Sequence, residues 1–281
     1  GAEVVELDTR VPFTAARARN AGYARLRELL PELELVQFID GDCELNEDWL
    51  ATATEHLRAN PDVGMVAGRR RERFPEASPY NRLADLEWDT PIGEAEEVGG
   101  DVLLRAAIFE EAGRYDAAMI AGEDPELCFR VRRTGHRVVR IDAEMTLHDA
   151  NMLRFGQWWK RVTRSGHAYA EGAHMYGADE ERYRLKELRS ILFWGGAVPA
   201  ASVTLAPLTL GTSLVGGGAA YGYLASRIYR YRRHQRADAP GDAALYATAT
   251  TVGKVAEMRG VAEYAWNRFV KRKRAELIEY K

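Results

Sequence analysis

An α/β fold with a mostly parallel sheet, followed by a helical membrane-associated C-terminal region, is what this sequence predicts. Three observations carry that expectation. Short apolar runs of strand length alternate with helix-like segments up to about residue 150. An acidic pair, Asp40-Gly41-Asp42, closes the first such run, at the end of the strand where open α/β sheets bind ligands. Residues 191–226 then hold no charged side chain over 36 positions, and both of their flanks are basic.

Each element has its own signal. Residues 13–30, rich in Ala, Leu and Arg, read as a helix with Gly22 as an interior weak point. Leu35–Ile39 reads as a strand buried on both faces. Asn46 is expected to cap a helix that runs through Ala59 and stops at Pro61. Residues 63–68 make a second strand, while 69–95, polar and interrupted by three prolines, read as a mobile excursion. Val98–Leu104 resumes a strand, and 105–112 makes a short helix ended by Gly113. Gly122-Glu123-Asp124-Pro125 opens the next helix, and 137–142 is a further strand. The predicted divisions are 1–150 for the α/β domain, 151–190 for an amphipathic connector, 191–226 for an apolar hairpin or re-entrant segment, and 227–281 for a basic helical tail.

Composition narrows the class. The 281 residues are 46% hydrophobic, which suits a globular core, and mean hydropathy is too low for a polytopic membrane protein. The net charge of −3 hides an asymmetry. Residues 1–150 carry 18 Lys and Arg against 31 Asp and Glu, whereas 151–281 carry 21 against 11. An acidic half suited to holding a cation is thus joined to a basic half suited to an anionic surface. Two cysteines make neither a disulfide framework nor a zinc set, and point to a reducing compartment. No signal peptide opens the chain, whose first residue is Gly1, and an N-terminal portion is expected to be missing.

Two carboxylates at i and i+2 around a glycine can aim at one point, and oxygen ligands of that kind suit Mg²⁺ or Mn²⁺ bridging to substrate phosphates. The other reading is an acidic surface turn before a helix. Glu123 and Asp124 either cap a helix or supply a general base. His148 is either a third metal ligand or a loop histidine.

The ordered series is more specific than any member of it. FTAARARNAG, FIDGDC, VGGDVLLRAAIFEEAGRYD, GEDPELCFRVRRTGHRV and LHD follow one another across residues 13–149. This series resembles the family 2 inverting glycosyltransferases with the GT-A fold. The resemblance implies that Asp42 binds the divalent cation of a nucleotide-diphosphate sugar, with Asp40 at the ribose or in the metal shell. It implies that Arg19 and Asn20 lie near the nucleotide, that Gly99, Gly100 and Asp101 lie beside the donor sugar and acceptor, and that Asp124, beside Glu123, is the catalytic base. In that family a strand–helix unit that recognises the base precedes the Arg-Asn-Ala-Gly element, and Gly1–Val11 is too short to hold it.

In the basic half, residues 155–172 resemble the Gln-x-x-Arg-Trp region of related synthases only loosely. Gln157, Trp158 and Arg161 either reach an acceptor or the diphosphate, or belong to an amphipathic connector. Pro199, Pro207 and Gly216–Gly218 favour a bent pair of short helices over one straight span. Cations on both flanks favour an even number of crossings or none, against the alternative of a buried soluble hairpin. In the tail, Val255, Met258, Val261, Ala262, Trp266 and Phe269 are spaced for one helical face, and the KRKR run at 271–274 suits anionic lipid. No recognition module for nucleic acid accompanies these charges.

The sequence therefore predicts a metal-dependent glycosyltransferase at the cytoplasmic face of a bacterial membrane, acting on a lipid-linked or polysaccharide acceptor. One rival is a phosphatase of the haloacid-dehalogenase type, disfavoured because residues 1–150 contain no lysine. Another is a non-catalytic membrane-associated partner with a degenerate fold.

Overall fold

A computed structural model describes residues 2–8, 10–11 and 13–271. It comprises two compact units, Gly1–Pro75 with Glu87–Asn151, and Glu76–Leu86 with Met152–Lys281.

The first unit is an α/β layer. Helix α1 (Ala15–Leu29) starts where the Thr14 hydroxyl accepts a hydrogen bond from the Arg17 amide at 3.1 Å. Strand β1 (Leu35–Phe38) leads through the Asp40–Asp42 turn into β2 (Cys43–Leu45) and α2 (Trp49–Ala59). Asn46 does not cap α2. Its side chain instead accepts from the Asp48 amide, a local turn that delays the helix to Trp49. Then come β3 (Val63–Glu72), β4 (Gly93–Glu94), β5 (Val102–Arg105), α4 (Ala106–Glu111), α5 (Glu123–Arg133) and β6 (Arg137–His148), with α3 (Pro79–Trp88), most of which belongs to the second unit, lying between β3 and β4 in the chain. Residues 69–95 are thus no mobile excursion. β3 continues to Glu72, and α3 buries Asn81, Leu83, Ala84 and Leu86 despite the prolines around it.

The sheet is mixed rather than mostly parallel. Its order is β1-β5-β3-β6-β2, with β4 also on β6, and only β3 and β6 pair in parallel. Hydropathy marks a buried strand but not its direction, which depends on how the chain arrives. Here residues 95–101 bring the chain back to the edge where β1 ends, so Val102 lies opposite Phe38 and β5 runs antiparallel. The core beneath includes Val36, Trp49, Met65, Leu104, Phe109 and Leu127.

Two registers place the functional edge. Phe38 opposite Val102 sets Asp101 beside the Asp40 turn, and Cys43 opposite His148 sets the end of β6 beside the same turn.

The second unit is helical: α6 (Phe155–Tyr176), α7 (Leu185–Ile191), a π-helical stretch (Leu192–Ala197), α8 (Val198–Thr204), α9 (Thr212–Gln235) and α10 (Pro240–Ala265), then a π-helical end at Trp266–Lys271. A small core of Ala170, Ile191, Val261 and Tyr264 lies among them. The stripe predicted for the tail is buried only at Val261, with Met258 packed against the same core. Val255, Trp266 and Phe269 are exposed, whereas Ala243, Ala247, Thr251, Ala256 and Gly260 are buried, because close helix packing favours small side chains at the contact. No helix among the described residues is long and apolar enough to cross a membrane. Of the basic run at 271–274, only Lys271 lies within the described residues.

Candidate active site

The centre of the site is a network of charges at the edge where β1 ends and α5 begins. Arg19, on α1, spans it. Its Nη2 lies 2.6 Å from Asp40 Oδ1, and its Nη1 lies 2.7 Å from Asp124 Oδ1 and 3.3 Å from Glu123 Oε1. One guanidinium thus holds the carboxylates of the β1 turn and the α5 start around a common point. The Arg19 guanidinium also sits over the Tyr115 ring, 5.2 Å from its centroid. That ring packs edge-on against Phe38 and Phe109, so the cation rests on core aromatics.

Gly100 makes this closeness possible. A Cβ there would come within 2.2 Å of Arg19 Nη2 and 3.1 Å of Asp124 Oδ2, so a side chain at 100 would displace the guanidinium. At Gly99, by contrast, a Cβ would meet Arg70 only at ordinary contact distance.

Asp101 is fully buried and its carboxylate is fully used. It accepts hydrogen bonds from the Asp40 amide at 2.9 Å, the Cys43 thiol at 3.1 Å and the Thr146 hydroxyl at 2.7 Å, and it pairs with Arg70 at 2.9 Å. Asp101 therefore fixes the Asp40–Cys43 turn from beneath. Asn20 faces the backbone: its amide donates to the Tyr115 carbonyl and accepts from the Tyr115 amide, clasping α1 to the segment before α5.

On the other side of the turn, Asp42 Oδ1 lies 3.3 Å from His148 Nε2. Asp40, Asp42, Cys43 and His148 each offer a donor atom, all within 4.8 Å of one another. Two carboxylates and an imidazole fit Mn²⁺ or Mg²⁺ at a phosphate site. The thiol is the odd member. Burial and the neighbouring Asp101 charge push Cys43 well above its ordinary range, so it stays protonated and donates to Asp101.

The carboxyls divide electrostatically. Burial works to raise Asp40, but the charges of Arg19 and Arg70 outweigh it and hold it below its ordinary value. Asp124 goes the other way. Burial raises it to about 7, and the charges of Glu123 and Asp40 add to the rise while Arg19 opposes it. A carboxylate near 7 is suited to taking a proton at neutral pH.

Gln157, Trp158 and Arg161 lie in the second unit, in the first turns of α6. The Gln157 amide oxygen accepts from the Leu153 and Arg154 backbone and so caps the helix. Trp158 is buried, with its ring stacked on Tyr80 at 6.0 Å.

Sequence reasoning missed Arg70, Trp88 and Thr146. Arg70 pairs with Asp101, lies 3.5 Å from Asp40 and sits over Trp88, whose ring meets His148 edge-on at 4.7 Å. A signal existed in the run Arg69-Arg70-Arg71-Glu72 after a buried strand. At period two, Arg70 and Glu72 share one face, and Glu72 in turn accepts from the Ala150 amide.

No protein-family model matches this chain. The pre-mycofactocin glycosyltransferases of two Mycobacterium tuberculosis strains are 26% identical to it over 145 residues, 48% of this chain and 30% of theirs. The match thus spans under a third of those relatives. A mannosyltransferase of Pyrobaculum calidifontis, solved in complex with GDP-Man and Mn²⁺, shares the fold with a TM-score of 0.58. That likeness covers 91% of this chain and 67% of that one at 16% identity. The shared architecture shows a mixed α/β, GT-A-like fold, and about half of the chain is similar in sequence to part of those glycosyltransferases.

Proposed function

We propose that this chain carries the catalytic site of a family 2 inverting glycosyltransferase. It would move a sugar from a nucleotide-diphosphate donor to a lipid-linked or polysaccharide acceptor at the cytoplasmic face of a bacterial membrane. The observation that carries the reading is the convergence of Asp40, Asp42 and His148 on one point, with Arg19 linking that turn to Asp124. The partial sequence likeness to pre-mycofactocin glycosyltransferases supports it.

Asp42, Asp40 and His148 would hold the divalent cation. Bound there with the donor, Mn²⁺ or Mg²⁺ would offset the charge of the diphosphate leaving group. The remaining work falls to the chain's own residues. Asp124 takes the proton of the acceptor hydroxyl. The acceptor oxygen bonds to the anomeric carbon from the face opposite the diphosphate, the bond to the diphosphate oxygen breaks, and its electron pair leaves with the diphosphate. Arg19 keeps the Asp124 carboxylate aimed, and Asp101 keeps the Asp40–Cys43 turn in place. Glu123 adds charge that keeps Asp124 basic. Gly99 and Gly100 line the donor sugar, and Asn20 sets α1 at the nucleotide.

The test is transfer from a panel of sugar nucleotides with Mn²⁺, comparing wild type with Asp42→Ala and Asp124→Asn. Asp42→Ala should abolish metal-dependent donor binding and transfer together. Asp124→Asn should leave the donor Kd within about threefold while lowering transfer by about 10²–10⁴, the usual share of a general base. Unchanged transfer in Asp42→Ala removes the metal assignment, and phosphate release without sugar transfer favours a phosphatase.

A further inference from the structure

We infer that the turn joining α8 to α9 inserts into one leaflet of an anionic lipid bilayer, as the tip of a re-entrant hairpin. The side chains around this turn are apolar and face solvent: Leu210 is 95% exposed, Leu208 82%, Val215 74% and Val203 65%. A patch of this kind on a water-facing surface marks a binding face. What covers it follows from three further features.

The first is polar satisfaction. In lipid every backbone and hydroxyl group must find a partner within the chain. The amides of Leu205, Ala206, Leu208, Thr209, Gly211 and Thr212 donate to carbonyls of α8 and the turn, Pro207 has no amide to satisfy, and among the amides from 205 to 212 the one at Leu210 is left over. The hydroxyls of Ser202, Thr204, Thr209, Thr212, Ser213 and Ser226 likewise donate to backbone carbonyls of the hairpin. A hairpin closed in this way can enter hydrocarbon.

The second feature is length. The uncharged part of α9, Thr212–Ser226, is 15 residues, or about 22 Å at 1.5 Å per residue. That is too short for a hydrocarbon layer of about 30 Å but exceeds half of it. One leaflet fits, and the absence of any spanning helix among the described residues agrees.

The third is the banding of the two arms. Eleven residues from the turn, one arm carries Trp194 and the other Tyr223, and the Tyr221 hydroxyl donates to the Trp194 carbonyl at this level. Just beyond lie exposed cations, Lys186 and Arg189 on one arm, Arg227 and Arg230 on the other. Glu187 lies between the two cations of the first arm and Asp238 is held by Arg232, so the four cations still leave the band positive. An aromatic level followed by cations is the pattern of a membrane–water interface, and the cations suit anionic headgroups.

The inference stands apart from the sugar-transfer reading, because vesicle binding is measured with no donor present. The full chain is floated with vesicles of phosphatidylcholine alone, or with about one quarter phosphatidylglycerol. Wild type should float with the anionic vesicles, and the double variant Leu208→Asp/Leu210→Asp should lose at least about tenfold of that binding with an unchanged melting temperature. Arg227→Gln/Arg230→Gln should weaken binding to anionic vesicles and make it less sensitive to salt. Flotation of the aspartate variant at the wild-type level overturns the insertion. So does a wild type that ignores vesicles and forms a dimer which the aspartate variant dissolves, since the face would then belong to a second copy.

Discussion

A carboxyl raised to about 7 is expensive to keep charged, and Asp124 is worth that cost only if its proton affinity is used. A general base acts in its deprotonated form, so the sign of the pH dependence is fixed. Transfer should rise about tenfold per pH unit below 7 and level off above it. Asp124→Asn should flatten the profile as well as lower the rate. A flat wild-type profile between pH 5.5 and 8 would place the base elsewhere. The aspartates and Arg19 were legible in the sequence because each stands in a short motif with local spacing. Arg70 was not, for its partners Asp40 and Asp101 come from two other stretches of chain, and only the register of β1 on β5 unites them.

Elements were legible to the extent that hydropathy periods decide them. α1, β1 and α5 follow the expected positions, whereas strand direction and most of the buried face of α10 do not. The face of α10 is set by contact with α6, where glycines remove the side chain altogether. A Cβ at Gly260 would lie 1.9 Å from the Thr163 carbonyl oxygen, and one at Gly166 2.0 Å from the Glu257 carbonyl oxygen. The backbones therefore touch, and a methyl group at either position forces the helices apart. Gly260→Ala should lower stability by about 1–3 kcal/mol through overpacking, read as a fall of several degrees in melting temperature. Gly222→Ala is the matched control. Nothing lies within 4 Å of its Cβ position on α9, so the change should be neutral or raise stability by up to about 1 kcal/mol through helix propensity. Equal effects at the two sites would remove the claim of backbone contact.

At the scale of the whole molecule, charge distribution was plain from the sequence and gives the proposed cation its physical reason. The acidic half repels a nucleotide diphosphate, and the Arg19 and Arg70 guanidiniums nearest the turn are already paired with Asp40, Asp101 and Asp124. A diphosphate alone therefore meets carboxylates and committed cations. A divalent ion held by Asp40, Asp42 and His148 would reverse the local sign. Binding should thus be cooperative between metal and nucleotide, each raising the affinity of the other by the same factor. Thermal unfolding reads this directly. GDP or UDP alone should leave the melting temperature unchanged, Mn²⁺ alone should raise it slightly, and the two together should raise it by more than the sum. At about 100 times the dissociation constant the added stability is about 2.7 kcal/mol, equivalent to a shift of several degrees. Asp42→Ala should keep the unliganded melting temperature, because Asp42 is exposed at the turn, and lose the joint shift. A joint shift that survives in Asp42→Ala, or one produced equally by nucleotide alone, would mean that the diphosphate is held by the arginines and not through the acidic turn.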